Sequence, residues 1–343
     1  MGLGVLLALG LAGLAWLLHQ HPSLLPYGAL GWRGPAPAAP ALKVSFLGVA
    51  TLLLDDGDTA ILTDGFFSRP GKLQTLLGQV APDLDAISRG LQRAGIPSRT
   101  GKLAAVIPVH SHYDHAMDAP EVARRTGALL LGSESTANVG RGWGLAESQI
   151  RVAKLGEPMK FGRFTVTMFP GRHAPTGITG GEITQPLKPP VRATEYKEGR
   201  SYIVLVQHEG RSLMIVGSAG FEPGALKGVQ ADVVLLGIGA LGPRPDSYRD
   251  ALWREVVAGV KARRVIPIHW DDFWLPSDQP MRPMPPPLDN LTCRWPFCAS
   301  VARRRAWTFA CRCSGRPWPC GRACQQVCRP RGPVATRYQI GSK

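Results

Sequence analysis

No cysteine precedes Cys293 in this 343-residue chain; all seven (Cys293, Cys298, Cys311, Cys313, Cys320, Cys324 and Cys328) crowd into one C-terminal stretch. A disulfide framework is therefore excluded from the body, which is compatible with any redox compartment and selects none. Acid is missing at the same end. Leu291 to Lys343 holds eleven Lys and Arg and no Asp or Glu, so it supplies 11 of the net charge of +15 and leaves +4 for everything before it. A charge this high would ordinarily point to an anionic partner such as nucleic acid. Its confinement to one end removes that argument, and the body carries no basic stripe interleaved with aromatics, so no nucleic-acid partner is favoured.

Charge is also absent from the N-terminus, where Leu3 to Leu18 is an unbroken apolar run and the first Lys or Arg is Arg33. The run is a little short of the ~20 residues that cross a bilayer and longer than the ~7–15 of a signal-peptide apolar region. We expect an uncleaved membrane anchor over residues 1–20, with a cleaved signal as the alternative and a misplaced start codon as a third reading. The small residues around Ala36-Pro37-Ala38 would host the cleavage. A membrane-anchored or exported protein follows on either of the first two readings, ahead of a cytoplasmic one. His19 and His21 read as interfacial residues, and residues 21–41, rich in Pro, Ala and Gly from Gly31 to Ala41, as a linker.

An apolar content of 44% is ample for a buried core. From Leu42 short β-rich runs open a meander, with Asp56-Gly57 marking a tight turn between two strands. Pro82 to Ala94 has helical apolar spacing at Leu84, Ile87 and Leu91, and Leu103 to His110 is a continuous apolar run of the kind buried on both faces. A helix over Asp118–Thr126, a strand over Ala128–Leu131 and a helical segment near Ser133–Val139 follow. The second half repeats the idea with FTVTMFPG, the hairpin YIVLVQHEGRSLMIVG, the strand DVVLLG, a helix over Tyr248–Lys261 and the strand VIPIH. Two strand-rich halves, each with helices that need a sheet face to cover, predict an α/β fold of four layers, αββα, over residues 42–290.

Chemistry is concentrated in His110-Ser111-His112-Tyr113-Asp114-His115, directly after a buried strand. Three imidazoles and a carboxylate within six residues share one space only in a tight loop, and imidazole nitrogen with carboxylate oxygen is a usual ligand set for Zn²⁺. His173 follows the strand FTVTMFPG and His269 ends VIPIH, so both occupy the same context as His110.

These residues resemble the metallo-β-lactamase superfamily, whose signature HxHxDH is matched in full by His110 to His115. More narrowly, FLGVATLLLDDGDTAILTDGFF and HSHYDH are similar to the branch of ascorbate-phosphate lactonases and N-acyl-phosphatidylethanolamine phospholipases. The resemblance covers about Leu42 to Asn290. It implies that His110, His112 and His173 hold a first zinc and that Asp114, His115 and His269 hold a second, with Asp114 and His115 counted as catalytic. One position departs: where the family has an Asp bridging both metals, this chain reads Gly217-Ser218-Ala219-Gly220. A hydroxyl is a neutral, weak ligand, which leaves open a dinuclear centre with Ser218 nearby, a single zinc, or another divalent metal.

Other residues carry two readings each. Asp64 is either a partner that sets the tautomer of a ligand histidine or a turn former before Gly65. Tyr113 either donates to substrate or packs. Asp271 and Asp272 either support His269 or are solvated turn residues, the latter favoured, and His208 reads as a surface turn residue. The long loop from Ala174 to Arg200 brings Lys188, Arg192, Lys197 and Arg200 toward the metal mouth, which would favour an anionic substrate. Residues 291–343 have no acid, no apolar rhythm and no paired CxxC, and read as a disordered or frameshifted tail rather than a zinc module.

The expectation is a zinc-dependent hydrolase acting through a metal-activated hydroxide on an ester, lactone or phosphodiester in a small molecule or lipid. A nuclease and a non-catalytic, metal-bound module at a membrane are the alternatives.

Overall fold

A computed structural model describes residues 2–25, 42–96, 102–177, 179–286, 288–289, 308–309 and 337–339. It begins with helix α1, Gly2–Leu18. At 17 residues and 1.5 Å per residue it reaches about 26 Å, short of the ~30 Å hydrocarbon core. Among the described residues no helix is long and apolar enough to cross a membrane. The expected cleavage position and most of the linker lie outside the described residues.

The first sheet is built from β1 (Lys43–Gly48), β2 (Thr51–Asp55), β3 (Ala60–Thr63), β4 (Leu103–Ile107), β5 (Leu129–Gly132) and β6 (Ile150–Val152) in that order. The predicted meander is its antiparallel half, and β3 to β6 run parallel. Alternation sorts the side chains. Leu52, Leu54, Ile61 and Ile107 point to the second sheet, whereas Leu53, Leu62, Val106 and Leu130 point to helices on the other side. Both faces being covered is why these strands read as continuous apolar runs.

Those helices are α3 (Leu84–Ala94), α5 (Ala119–Thr126) and α6 (Glu134–Trp143); the short α2 (Lys72–Leu77) precedes α3, and the single turn α4 (Tyr113–Ala116) precedes α5. Asp83 caps α3 by accepting from the N–H groups of Asp85 and Ala86, and Gly95 closes it in the left-handed region at φ 71°. Ile87 and Leu91 give α3 its buried face, and Val122 and Ala123 do so for α5.

The second sheet mirrors the first: β7 (Met159–Phe161), β8 (Phe164–Pro170), β9 (Tyr202–His208) and β10 (Arg211–Val216) are antiparallel neighbours, and β11 (Val233–Gly237) and β12 (Arg264–Ile268) continue in parallel. Helix α7 (Asp246–Trp253) covers its outer face through Leu252 and Trp253. The helix expected over Tyr248–Lys261 ends early, and Arg254–Ala258 forms a wider π turn that buries the adjacent Val256 and Val257 together. The molecule is thus the predicted four-layer αββα sandwich of the metallo-β-lactamase fold. Two short pieces of the C-terminal tail extend it at sheet edges, β13 (Thr308–Phe309) parallel to β12 and β14 (Arg337–Gln339) antiparallel to β1. The rest of the tail lies outside the described residues.

Candidate metal centre

Strand β4 ends at Ile107, and the segment after it turns across the top of the sandwich. Val109 is pinned on both sides, its N–H donating to Asp64 Oδ1 at 2.9 Å and its carbonyl accepting from Tyr202 N at 2.8 Å. From there successive residues face opposite ways. Ser111 turns to α6, its hydroxyl lying 3.2 Å from Ser133 Oγ and 3.0 Å from Thr136 Oγ1. His110 and His112 turn inward, with His110 Nε2 3.1 Å from His112 Nδ1. His112 precedes the single turn of α4, which projects Asp114 and His115 into the same space. His173 arrives from the end of β8 and His269 from the end of β12.

Two donor groups result, His110, His112 and His173 in one and Asp114, His115 and His269 in the other, each with its ligand atoms within 4.8 Å of one another. The groups adjoin: the rings of His110 and His115 are 3.9 Å apart at their centres. Asp114 Oδ2 lies 3.5 Å from Nε2 of both His115 and His269.

Three of the histidines have their outward nitrogen engaged. His115 Nδ1 meets Asp64 Oδ2 at 2.7 Å, His112 Nε2 meets Thr179 Oγ1 at 2.8 Å, and His173 Nδ1 meets the Ala174 carbonyl at 2.7 Å. A bonded outer nitrogen fixes the tautomer and aims the other nitrogen inward, the arrangement usual for metal-ligating histidine. His115 Nε2 is buried and has no hydrogen-bond partner among the described residues. The 3.1 Å between His110 Nε2 and His112 Nδ1 is also close to the ~3.3 Å expected for two nitrogens on one tetrahedral Zn²⁺ at about 2.05 Å. The donor set therefore fits a cation.

Electrostatics agree. Burial, then the neighbouring imidazoles, holds His110 well below its ordinary range. Burial and His173 lower His112 to about 4, and burial lowers His173 to about 4, so all three are neutral at pH 7, the form of imidazole that can hold a cation. Burial works against ionised Asp114, but His115 and His269 keep it below the usual carboxylate range. For His115 burial is outweighed by Asp64 and Asp114, which raise its pKa; the carboxylates that favour a proton there also favour a cation.

Residues 59–270 match the family described as "Beta-lactamase superfamily domain". The chain belongs to the β-lactamase superfamily. A superfamily relative from Methanopyrus kandleri, named a UPF0173 metal-dependent hydrolase, is 24% identical over 68% of this chain and 85% of its own length. Another of that name from Heliobacterium modesticaldum is 27% identical over 68% of this chain and 84% of its own. Among solved structures, Igni18, a metallo hydrolase from Ignicoccus hospitalis, aligns over 88% of this chain and 99% of its own at 15% identity, with a TM-score of 0.49.

Within this superfamily member, Ser218 is half-buried and its hydroxyl accepts from Ala174 N at 3.0 Å, bracing the residue after His173. Gly220, two residues on, lets the His173 loop approach: a Cβ there would lie 2.1 Å from the Arg172 carbonyl oxygen. Asp64 has a left-handed backbone at φ 53° and also bonds His115, so it serves as a turn residue and as a tautomer-setting partner together. Tyr113 packs edge-on to Phe66 and Phe273, and burial raises its hydroxyl pKa well above the ordinary value.

Two expectations are corrected. Asp271 and Asp272 are not solvated: each is 1% exposed, and Asp271 binds Arg69 while Asp272 binds Lys72. His208 is not a surface residue; it is buried, with Nε2 2.9 Å from Asp56 Oδ2. The long loop contacts the ligands through Thr179 and through Glu198, whose Oε1 accepts from His173 N at 3.2 Å. Sequence reading passed over both, because neither has a periodic or motif signal; only the length of the loop pointed there.

Proposed function

We propose that this metal-dependent hydrolase carries zinc at both donor groups and cleaves an ester, lactone or phosphodiester bond in a small molecule or lipid. The observation that carries the reading is the convergence of five imidazoles and Asp114, from three separate segments of the chain, on one space, with the outer nitrogens of His112, His115 and His173 bonded. Nitrogen and oxygen donors without thiolate suit Zn²⁺. When bound, zinc supplies a water of pKa near ~7 and polarises the oxygen of the scissile group.

The chain's own groups do the rest. Neutral His112 and His173 hold their geometry through Thr179 and Ala174, and His110 stands against His112. Asp114, ionised, turns Oδ2 toward His115 and His269, which leaves Oδ1 to accept a hydrogen bond from the attacking water and orient it. Phe273, its ring centre 5.8 Å from that of His269, gives one side of the site an apolar wall suited to an acyl or alkyl group.

Elemental mass spectrometry should find about two zinc ions per chain, and a panel of lactone, phosphodiester, β-lactam and RNA substrates should show turnover of the first two classes. His110→Ala is expected to abolish hydrolysis and reduce zinc content, and full activity in that variant would reject the assignment. Turnover of RNA alone would replace the reading with a nuclease, and stoichiometric metal without turnover with a binding module.

A further inference from the structure

His269 is a ligand on a left-handed backbone, at φ 55°. Its N–H donates to the Val49 carbonyl at 2.7 Å, and the Val49 N–H in turn donates to Asp271 Oδ1 at 2.8 Å. The carboxylate two residues beyond His269 thus grips the β1–β2 turn from which His269 itself hangs. The other oxygen of Asp271 accepts from Arg69 Nη2 at 2.8 Å, with side-chain exposures of 3% for Arg69 and 0% for Asp271. Gly48 leaves the room this needs, since a Cβ there would lie 1.7 Å from Arg69 Nη2.

Two features set this ion pair apart from an ordinary stabilising one. Val49 at φ 55° and Arg69 at φ 45° join His269 as non-glycine residues in the left-handed region, all meeting around one carboxylate, and such conformations persist where surrounding structure over-determines them. Arg69 Nε, moreover, is buried without a hydrogen-bond partner among the described residues. A buried ion pair loses its hydration on folding, and apolar replacements often hold a fold as well. An incompletely bonded guanidinium is a poor choice for stability alone.

We propose that Arg69 and Asp271 are positioning residues for the metal position formed by Asp114, His115 and His269, acting by fixing the backbone from which His269 projects. The inference rests on the reading of that trio as a metal position. Asp64 orients the His115 ring directly; the Arg69 and Asp271 pair orients His269 through Val49. The other position, His110, His112 and His173, is braced by Thr179, Ala174 and Glu198 and is independent of the pair.

The test is a titration of the chelator-stripped full chain with Co²⁺, following the visible absorption bands, and with Zn²⁺ by calorimetry, for wild type, Arg69→Met, Arg69→Lys, Asp271→Asn and Asp56→Asn. Asp56 is the control: it is buried and bonded to His208 and Arg163 at the opposite end of the strands from the ligands. Arg69→Met and Asp271→Asn should weaken the second equivalent about 10–100-fold and shift its Co²⁺ bands, leaving the first equivalent unchanged. Arg69→Lys, which keeps the charge, should rescue part of the loss and carries the test if Arg69→Met does not fold. Asp56→Asn should lower the melting temperature without altering either equivalent. Wild-type affinity for both equivalents in the Arg69 variants, or an equal loss at both positions shared by Asp56→Asn, would overturn the proposal. Uptake of a single equivalent by wild type would instead defeat the two-position reading on which it stands.

Discussion

Asp64 carries two loads at once, because Oδ1 accepts from Val109 N and Oδ2 from His115 Nδ1. Asp64→Ala removes both and should weaken zinc binding about 10–100-fold, read by competition with a chelator. Asp64→Asn keeps an acceptor for Val109 and should retain the fold while still losing zinc affinity. Glu121 offers a prediction in pH. Its buried carboxylate accepts from Arg124, Arg125 and Trp143, and although burial opposes it, these donors lower its pKa from 4.5 to about 2. A depressed folded-state pKa stabilises the fold above the unfolded value and is lost as pH falls through the folded one. The melting-temperature gap between wild type and Glu121→Gln should therefore be full above pH 4.5 and close toward pH 2; a gap independent of pH in that window would contradict it.

Among the elements, the helices end where side chains satisfy their backbone, and that much is local. Asp83 capping α3 is visible in sequence as an acid just before an apolar-periodic run, and Asp83→Ala should cost about 1 kcal/mol, lowering the melting temperature while kcat/KM stays at the wild-type value. The α7 boundary was not readable. The regular helix gives way to a π turn at Arg254–Ala258, where Val256 and Val257 are both buried, and no residue there carries a local stop signal such as Gly or Pro. The loop from Ala174 to Arg200 is likewise an element shaped from outside. It packs Ile183, Ala193 and Tyr196 inward and pairs Val191 with Val80, which brings Thr179 and Glu198 to the ligands.

For the whole molecule, each donor group draws on segments far apart in the chain and on both sheets, so a cation held by either group would tie the sheets together. Ligand binding to the native state alone stabilises by mass action, so chelator should lower the melting temperature. At free zinc 100-fold above Kd the difference corresponds to about 2.7 kcal/mol. Melting with and without chelator, repeated for His110→Ala, checks this; the variant should show a smaller difference, and an unchanged one would argue against metal-linked stability. The same long reach explains which polar residues were misjudged. His208 meets an acid 152 positions away and Asp271 meets an arginine 202 positions away, so each looked like a solvated turn residue while its partner lay beyond any local window.

The amino-acid order alone determined the periodicities, and through them the two sheets and their helices, together with the ligand types and their places at strand ends. Those properties depend on neighbours within a few residues, where backbone geometry and hydrophobic alternation act. Tertiary structure decided which polar groups are buried, that Asp64 bonds His115 and Thr179 bonds His112, that Asp271 meets Arg69, and that Ser218 braces Ala174. Burial and hydrogen bonding of a polar group are properties of whatever packs over it, and in a sandwich closed by two sheets those atoms come from the far half of the chain.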